Sequence, residues 1–497
     1  MGNEVKKYRI YVGGEFIEPA NGEYIETINP ASGKKWALIP NCGKEDIDKA
    51  VAAAKETFYS KSWKSLSPTK RGRLLRKLAD KIEQHAENLA MIETKDNGKI
   101  YKEMLGQLKQ IPAWYEYYGG LADKLEGKVI PVDRPDTLNY TLREPLGVVA
   151  AFTAWNSPLL MVALKLAPAI AAGNTVVIKP SEHASASTLE FAKLFDEVGF
   201  PKGTLNVISG YGRTTGDALS RHPDINKVSF TGGPETGKIV AKNGLDNFTK
   251  VTLELGGKSP NIVFDDADLD AAEAGVIAGI YAASGQTCVA GSRLYVHEDI
   301  KDQFLERLVQ RTNQIKLGDP LDPETQMGPA ANPQQLEKIQ SMVETAQQEG
   351  GTVLAGGGRP DEEGLKEGLF YKPTIISNVN NTSTIVQEEV FGPVLSVIPF
   401  TTEDEVIKMA NDSKYGLAAG VWTNDIKRAH KMTKSLEAGT VWVNTYRTVT
   451  FNSPFGGYKA SGIGRENGME ALYEYTQTKS VWINLSDEIQ DPFSLKL

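Results

Sequence analysis

The chain has 497 residues, 40% of them hydrophobic and 24% charged, with a formal net charge of −8. That length allows roughly two to four structural units, the composition is that of a soluble globular protein, and an acidic balance with no basic run excludes an electrostatic nucleic-acid binder. Two cysteines, Cys42 and Cys288, are too few for a secreted disulfide scaffold and point to a reducing, cytoplasmic setting.

The N-terminus through Gly14 is charged and lacks an apolar signal core. Met1-Gly2 opens like an acylation signal, but position 6 is Lys rather than Ser or Thr. The early part reads as helical. Ile47, Val51, Ala54 and Phe58 share one face at a period of 3.6. Ser67-Pro68 then reads as an N-cap with proline in the first turn, followed by an apolar stripe of Leu74, Leu75, Leu78, Ile82 and Leu89. The stretch 148–178 is the most apolar, but Asn156, Lys165, Gly173, Asn174 and two prolines interrupt it. It reads as buried strand, helix and strand rather than a membrane span.

From about 146 short apolar, β-branched runs alternate with helices. Strands are expected near 148–152, 175–178, 205–208, 227–230 and 251–254, with helices near 159–172, 184–198, 214–221 and 235–245 between them. A second series follows from about 261. Its strands are expected near 261–264, 293–296, 395–398, 420–422 and 440–443, its helices near 268–282, 299–313, 334–348, 403–411 and 425–436. This alternation predicts α/β units with parallel sheets covered on both faces, where ligands bind at the carboxyl ends of the strands. Segments 124–143 and 473–485 are rich in β-branched and aromatic residues and are expected to pair in a projecting arm. The glycine-rich stretch 356–368 reads as a surface loop.

Several residues after the first-series strands could carry chemistry. Asn156, in Trp155-Asn156-Ser157-Pro158, could donate to an oxyanion or merely shape a turn. Lys179 and Glu182 follow the next strand; the carboxylate could bind a ribose diol, or both could be solvated. Gly232-Gly233-Pro234-Glu235-Thr236-Gly237 could lay backbone N–H groups against a pyrophosphate at a helix N-terminus. Its spacing is not the ordinary dinucleotide fingerprint, and Ile239 after Lys238 breaks the phosphate-loop pattern. Glu254 closes a strand, and Cys288 sits among small residues in Ser284-Gly285-Gln286-Thr287-Cys288-Val289-Ala290-Gly291. Taken locally, Cys288 reads first as a buried inert thiol, the common fate of a free cysteine, and otherwise as a nucleophile, which would need a nearby base or a helix N-terminus to help it ionise. The scattered histidines offer no metal-ligand spacing, and no G-x-S-x-G elbow occurs.

Taken together, Phe230-Thr231-Gly232, then 253–260 (Leu-Glu-Leu-Gly-Gly-Lys-Ser-Pro), Gly285-Gln286-Thr287-Cys288, 388–393 (Glu-Glu-Val-Phe-Gly-Pro) and 454–459 (Pro-Phe-Gly-Gly-Tyr-Lys) resemble the aldehyde dehydrogenase superfamily over nearly the whole chain. The resemblance implies a Rossmann-like cofactor domain (1–123 and 144–256), an α/β catalytic domain (257–457) and a small β oligomerisation arm with the C-terminal segment (124–143 and 458–497). It implies an enzyme that oxidises an aldehyde to a carboxylic acid with NAD(P)⁺, built as a homodimer or homotetramer, with no metal, membrane or nucleic-acid partner. Cys288 matches the nucleophile, Glu254 the general base and Asn156 the oxyanion donor, together with the Cys288 backbone N–H. Lys165 and Glu466 match a buried proton-passing pair. The cofactor set carried over is Thr153, Ala154, Trp155, Asn156, Lys179, Ser181, Glu182, Gly212, Phe230, Thr231, Gly232, Gly233, Thr236, Gly237, Leu255, Gly256, Glu389 and Phe391. Glu182 favours NAD by repelling a 2′-phosphate, with NADP left open by Lys179. Glu254 argues against acyl transfer to coenzyme A, whose users in this superfamily generally lack that carboxylate, and the intact set argues against a non-catalytic scaffold. One departure bears on substrate: where the family often has an aromatic residue after Trp-Asn, this chain has Ser157, which resembles a subgroup acting on bulkier, terpenoid or aromatic aldehydes. The stretch 446–451 is expected at the substrate entrance, where Arg447 could meet a carboxylate or simply face solvent.

Overall fold

The computed structural model describes residues 5–487 and Phe493; Met1-Gly2 and most of the tail after 487 lie outside the described residues. An eight-stranded sheet runs in the order Gly462–Ile463, Lys250–Glu254, Lys227–Thr231, Val148–Thr153, Thr175–Pro180, Leu205–Val207, Ile10–Val12 and Glu15–Ile17. Its five central strands are parallel, as the alternation of strand and helix requires. The chain starts at Val148–Thr153, winds outward through 175 and 205, and returns on the other side through 227 and 250. The reversal falls between Val148–Thr153 and Lys227–Thr231, which is where such a sheet opens a crevice at its carboxyl edge.

The second series folds as a seven-stranded sheet, ordered Thr352–Ala355, Thr374–Ser377, Val394–Phe400, Arg293–His297, Pro260–Val263, Ala418–Trp422 and Thr440–Val443. Only its first pair is antiparallel. Ile262, Leu294, Leu395 and Val421 are fully buried, so both faces are covered. The strands Thr352–Ala355 and Thr374–Ser377, which flank the 356–368 loop, were not expected. Nor were the five strands before residue 41, which edge the first sheet or pair among themselves.

Thr137–Pro145 pairs antiparallel with Thr476–Asn484, and Val129–Ile130 adds a third strand, as expected of the two segments rich in β-branched residues. Residues 458–475 do not join that arm. Gly462–Ile463 pairs with Leu253 and Glu254 on the large sheet, which carries Glu466 beneath the end of that strand.

The expected amphipathic helices form with their apolar stripes inward. Ile47, Val51 and Ala54 are buried on Lys44–Tyr59, and Leu75, Leu78 and Ile82 on Pro68–Gln84. The Ser67 hydroxyl caps the latter by accepting from Lys70 N. Pro158–Ala172 is apolar on every side except for Lys165 and buried almost throughout, as a helix must be between a sheet and a second helical layer. No described helix is long and apolar enough to cross a membrane.

Candidate active site

Two cavities meet at the carboxyl edge of the large sheet. One, of about 670 Å³, lies over the crevice between Val148–Thr153 and Lys227–Thr231. The other, of about 400 Å³, lies between the two sheets. Thr231 lines both.

The second cavity gathers Cys288, Glu254, Asn156 and Glu466 on one wall system. Strand periodicity explains Glu254. Along Lys250–Glu254, Val251 and Leu253 pack in the apolar core with Val228 and Phe230 of the neighbouring strand. Thr252 and Glu254 therefore face the other way, beside Ser229 and Thr231. Neither Glu254 carboxylate oxygen has a hydrogen-bond partner, although the residue is only 4% exposed. Burial first, and then the Glu466 carboxylate, push its pKa well above the usual carboxylate range; Lys165 and Arg465 act in the opposite sense. Lys165 projects from the buried helix Pro158–Ala172, fully enclosed, and donates to Glu466 Oε1. The expected pair is thus formed.

Asn156 lies in the turn between Val148–Thr153 and that helix. Its Nδ2 donates to Gln286 O at 2.9 Å, two residues before Cys288, while its buried Oδ1 has no partner. The turn is braced by residues that sequence reading missed. Glu93 Oε1 accepts from Leu159 N at 2.8 Å and so caps the helix, a favourable place for a carboxylate. Asn97 Nδ2 donates to Trp155 O at 3.4 Å, and Lys99 Nζ to Ser157 Oγ at 3.0 Å. All three come from the end of the helix Ala86–Asn97 and the turn after it, where Gly98 has φ 78° and Pro30 and Pro329 leave no room for a side chain. The only signal in the sequence was Asn97-Gly98, a helix stop.

Cys288 follows the short helix Ala282–Gly285 rather than opening one, and burial, Glu254 and Glu389 push its thiol up to about 12. The helix-terminus activation allowed for above is absent; the sulfur rests protonated, and a base must act when it reacts.

Most of the expected cofactor set lines the larger cavity: Thr153, Ala154, Trp155, Lys179, Ser181, Glu182, Gly212, Phe230, Thr231, Gly232, Gly233 and Thr236. Gly233 precedes the helix Pro234–Leu245, whose N-terminus no side chain caps, and a Cβ there would meet nothing within 4 Å. Open first-turn amides beside open space suit a pyrophosphate. Burial alone would raise the Glu182 carboxyl, but Lys179, 3.7 Å away, and Gly212 N–H hold it below its usual range. An ionised carboxylate on the wall is the acceptor a ribose diol needs. These residues fit a dinucleotide.

The rest of the set lies elsewhere. Asn156 and Leu255 line the Cys288 cavity. Gly237 lines neither described cavity; it makes room for Leu255, whose Cδ2 would lie 2.6 Å from a Cβ there. Glu389 accepts from Gly257 N at 2.9 Å and fills the space a Cβ on Gly256 would take. Phe391, with φ 57°, packs edge-on at 5.2 Å against Trp155, which lines the larger cavity. Arg213, which sequence reading passed over, lines the cofactor cavity next to Gly212.

A family profile described as "Aldehyde dehydrogenase family" matches residues 16–481. A (Z)-2-((N-methylformamido)methylene)-5-hydroxybutyrolactone dehydrogenase of Acinetobacter baylyi is 49% identical, over 99% of this chain and 100% of that protein. Betaine aldehyde dehydrogenase of Bacillus subtilis is 44% identical, over 96% of this chain and 97% of that one. Among solved structures, betaine aldehyde dehydrogenase of Staphylococcus aureus in complex with NAD⁺ superposes with a TM-score of 0.97 at 44% identity, over 98% of this chain and 97% of that one. Fold, site and similarity over essentially the full length agree, and the chain belongs to the aldehyde dehydrogenase family of oxidoreductases.

Proposed function

We propose that the protein oxidises an aldehyde to a carboxylic acid with NAD⁺ through a covalent thioester on Cys288. The observation that carries this reading is that Cys288, Glu254 and Asn156 share one cavity, and that this cavity adjoins the dinucleotide-shaped one at Thr231. In sum, aldehyde, NAD⁺ and water give carboxylate, NADH and two protons.

The residues divide the work as follows. Cys288 gives up its proton as its sulfur bonds to the carbonyl carbon, and Glu254, with its raised proton affinity, is the acceptor within electrostatic reach. The Asn156 amide and the Cys288 backbone N–H hold the oxyanion of the resulting thiohemiacetal. NAD⁺, when bound, supplies the acceptor for the hydride that leaves this carbon. Glu182 and Lys179 would hold its ribose, the Pro234–Leu245 N-terminus its pyrophosphate, and Glu389 and Phe391 its nicotinamide end. Glu254 passes the thiol proton on toward Glu466 and Lys165, then takes a proton from the water that cleaves the thioester, and the departing Cys288 sulfur regains a proton as the carboxylate leaves.

The free thiols suit a reducing cytoplasm. The arm keeps Leu138, Leu142, Trp482 and Ile483 more than a third exposed, which suits assembly into a dimer or tetramer. We assign 1–123 and 144–256 to the cofactor domain and 257–457 to the catalytic domain.

The test is a pair of variants followed by NADH absorbance. Cys288→Ala should form no NADH with any aldehyde. Glu254→Gln should lose steady turnover, with acylation slowed by loss of the base for the thiol and any acyl-enzyme that does form persisting, detectable by intact mass. Steady NADH formation by Cys288→Ala would defeat the proposal.

A further inference from the structure

The Cys288 cavity has an inner and an outer wall of different character. At the inner end Cys288 rests as a thiol, the Glu254 carboxyl is buried without a hydrogen-bond partner, and Glu466 is matched by Lys165. The outer wall carries Lys102 and Arg447 against the single carboxylate of Glu103, while Lys99, 3% exposed, lines the cavity deeper in. Exposure orders these groups along the cavity. Glu254 and Glu466 are 4% and 3% exposed, whereas Lys102 is exposed and Arg447 and Glu103 are partly so.

Arg447 is the central group of this wall. Its backbone sits at φ 64°, a conformation costly to a branched or long residue and kept only where the surroundings enforce it. Its Nη1 donates to Ala278 O at 3.2 Å, and its Nη2 reaches Glu103 only at 3.5 Å. Glu103 is shared, since its other oxygen accepts from Ala283 N at 3.0 Å. A guanidinium has five N–H donors in a planar fork that fits a carboxylate, so donors remain to offer. Lys99 spends one N–H on Ser157 Oγ and keeps others.

The cavity is equally telling in what its other residues are. A quaternary ammonium group is held by faces of aromatic rings. Among the described lining residues only Trp114 and Phe455 are aromatic, and Trp114 is committed to Asn467 through its ring N–H at 2.8 Å and to Phe451 edge-on. The positions flanking the catalytic turn that face the cavity are Ser157, Leu160 and Leu164.

Resting on the aldehyde reading above, we propose that this cavity selects aldehydes bearing a carboxylate at the end remote from the carbonyl, with Arg447 as the specificity-determining residue, and discriminates against trimethylammonium aldehydes. This separates the chain from the betaine aldehyde dehydrogenases it is similar to.

The experiment measures kcat/KM with NAD⁺ for three probes of similar size: succinic semialdehyde, butanal and betaine aldehyde. The expected order is carboxylate, then neutral, then cation, with at least roughly tenfold between first and last, as opposed charges at a half-buried site imply. Arg447→Met should narrow the ratio of succinic semialdehyde to butanal by about tenfold, mostly through KM, because a binding contact made equally in ground and transition state is lost. Lys102→Met, at an exposed position, should narrow it less. Betaine aldehyde equalling or exceeding succinic semialdehyde, or an unchanged ratio in Arg447→Met, would overturn the proposal while leaving aldehyde oxidation intact. Failure of all three probes would defeat both readings together.

Discussion

Lys165 and Glu466 act on Glu254 with opposite signs, so substitutions at the two ends of one ion pair should diverge. Glu466 is the larger of the two influences and raises the Glu254 pKa, while Lys165 lowers it. Glu466→Gln leaves the lysine in place and removes the raising charge. Glu254 then ionises at lower pH, and the acid limb of the kcat profile moves down. Lys165→Met leaves Glu466 alone in a fully enclosed site. The lowering charge is gone while the raising carboxylate stays, so the limb moves up. The stability effects are large as well. Breaking a buried pair by removing one partner costs about 3–5 kcal/mol, or roughly 6–20 °C in Tm for a unit of this size, because a charge is left uncompensated. The double variant Lys165→Met/Glu466→Gln should lose less than the sum of the singles. The assays are pH profiles of NADH formation under acyl-enzyme hydrolysis-limited conditions and thermal melts of all four proteins. A downward limb in Lys165→Met, an upward one in Glu466→Gln, or strict additivity in the melts would refute this electrostatic account and reduce the pair to a packing role.

Three further outcomes follow from the geometry. Asn156→Ala should lower kcat by about 10²–10³ with KM little changed, the loss of one oxyanion donor being worth roughly 3–4 kcal/mol; an equal rise in KM would mean that the side chain only shapes its turn. Glu182→Gln should raise the NADP-to-NAD ratio of kcat/KM, since the repelling charge goes while Lys179 and Arg213 remain on the same wall; an unchanged ratio would place the selectivity elsewhere. Glu93, which caps the helix carrying Lys165, is raised from 4.5 to about 7 by burial, against the Leu159 N–H and Lys99. Its contribution to stability is therefore present below the unfolded pKa and is lost as pH rises through about 7. Glu93→Gln keeps the acceptor without the charge, so its unfolding free energy should equal wild type near pH 5 and exceed it near pH 8, by up to about 3 kcal/mol; a variant less stable at both would show that the ionised carboxylate is needed.

The comparison of sequence with structure divides along physical lines. Strands such as Thr440–Val443 and Lys227–Thr231 were legible as apolar, β-branched runs between helices such as Pro333–Gln348, which spans several turns of its own period, and the order of strands and helices then dictates parallel sheets with a crevice at the carboxyl edge. The residues closing the first-series strands, Asn156, Lys179, Glu182, Gly232 and Glu254, were findable for the same reason. Cys288 was not, since small neighbours suit an inert thiol as well as a nucleophile; only its motif in context marked it.

What the sequence by itself determined, then, is the local periodicity and its consequence, a doubly wound sheet with polar groups at one edge. Tertiary structure alone decided which distant segments meet there. It brought Gly462–Ile463 back onto Lys250–Glu254 so that Glu466 lies under Glu254, set Glu93, Asn97 and Lys99 behind the Trp155–Ser157 turn, and turned Arg447 toward Glu103. These contacts join residues tens to hundreds of positions apart. Nothing in a local pattern encodes them, because their energies arise only when burial removes water from both partners at once.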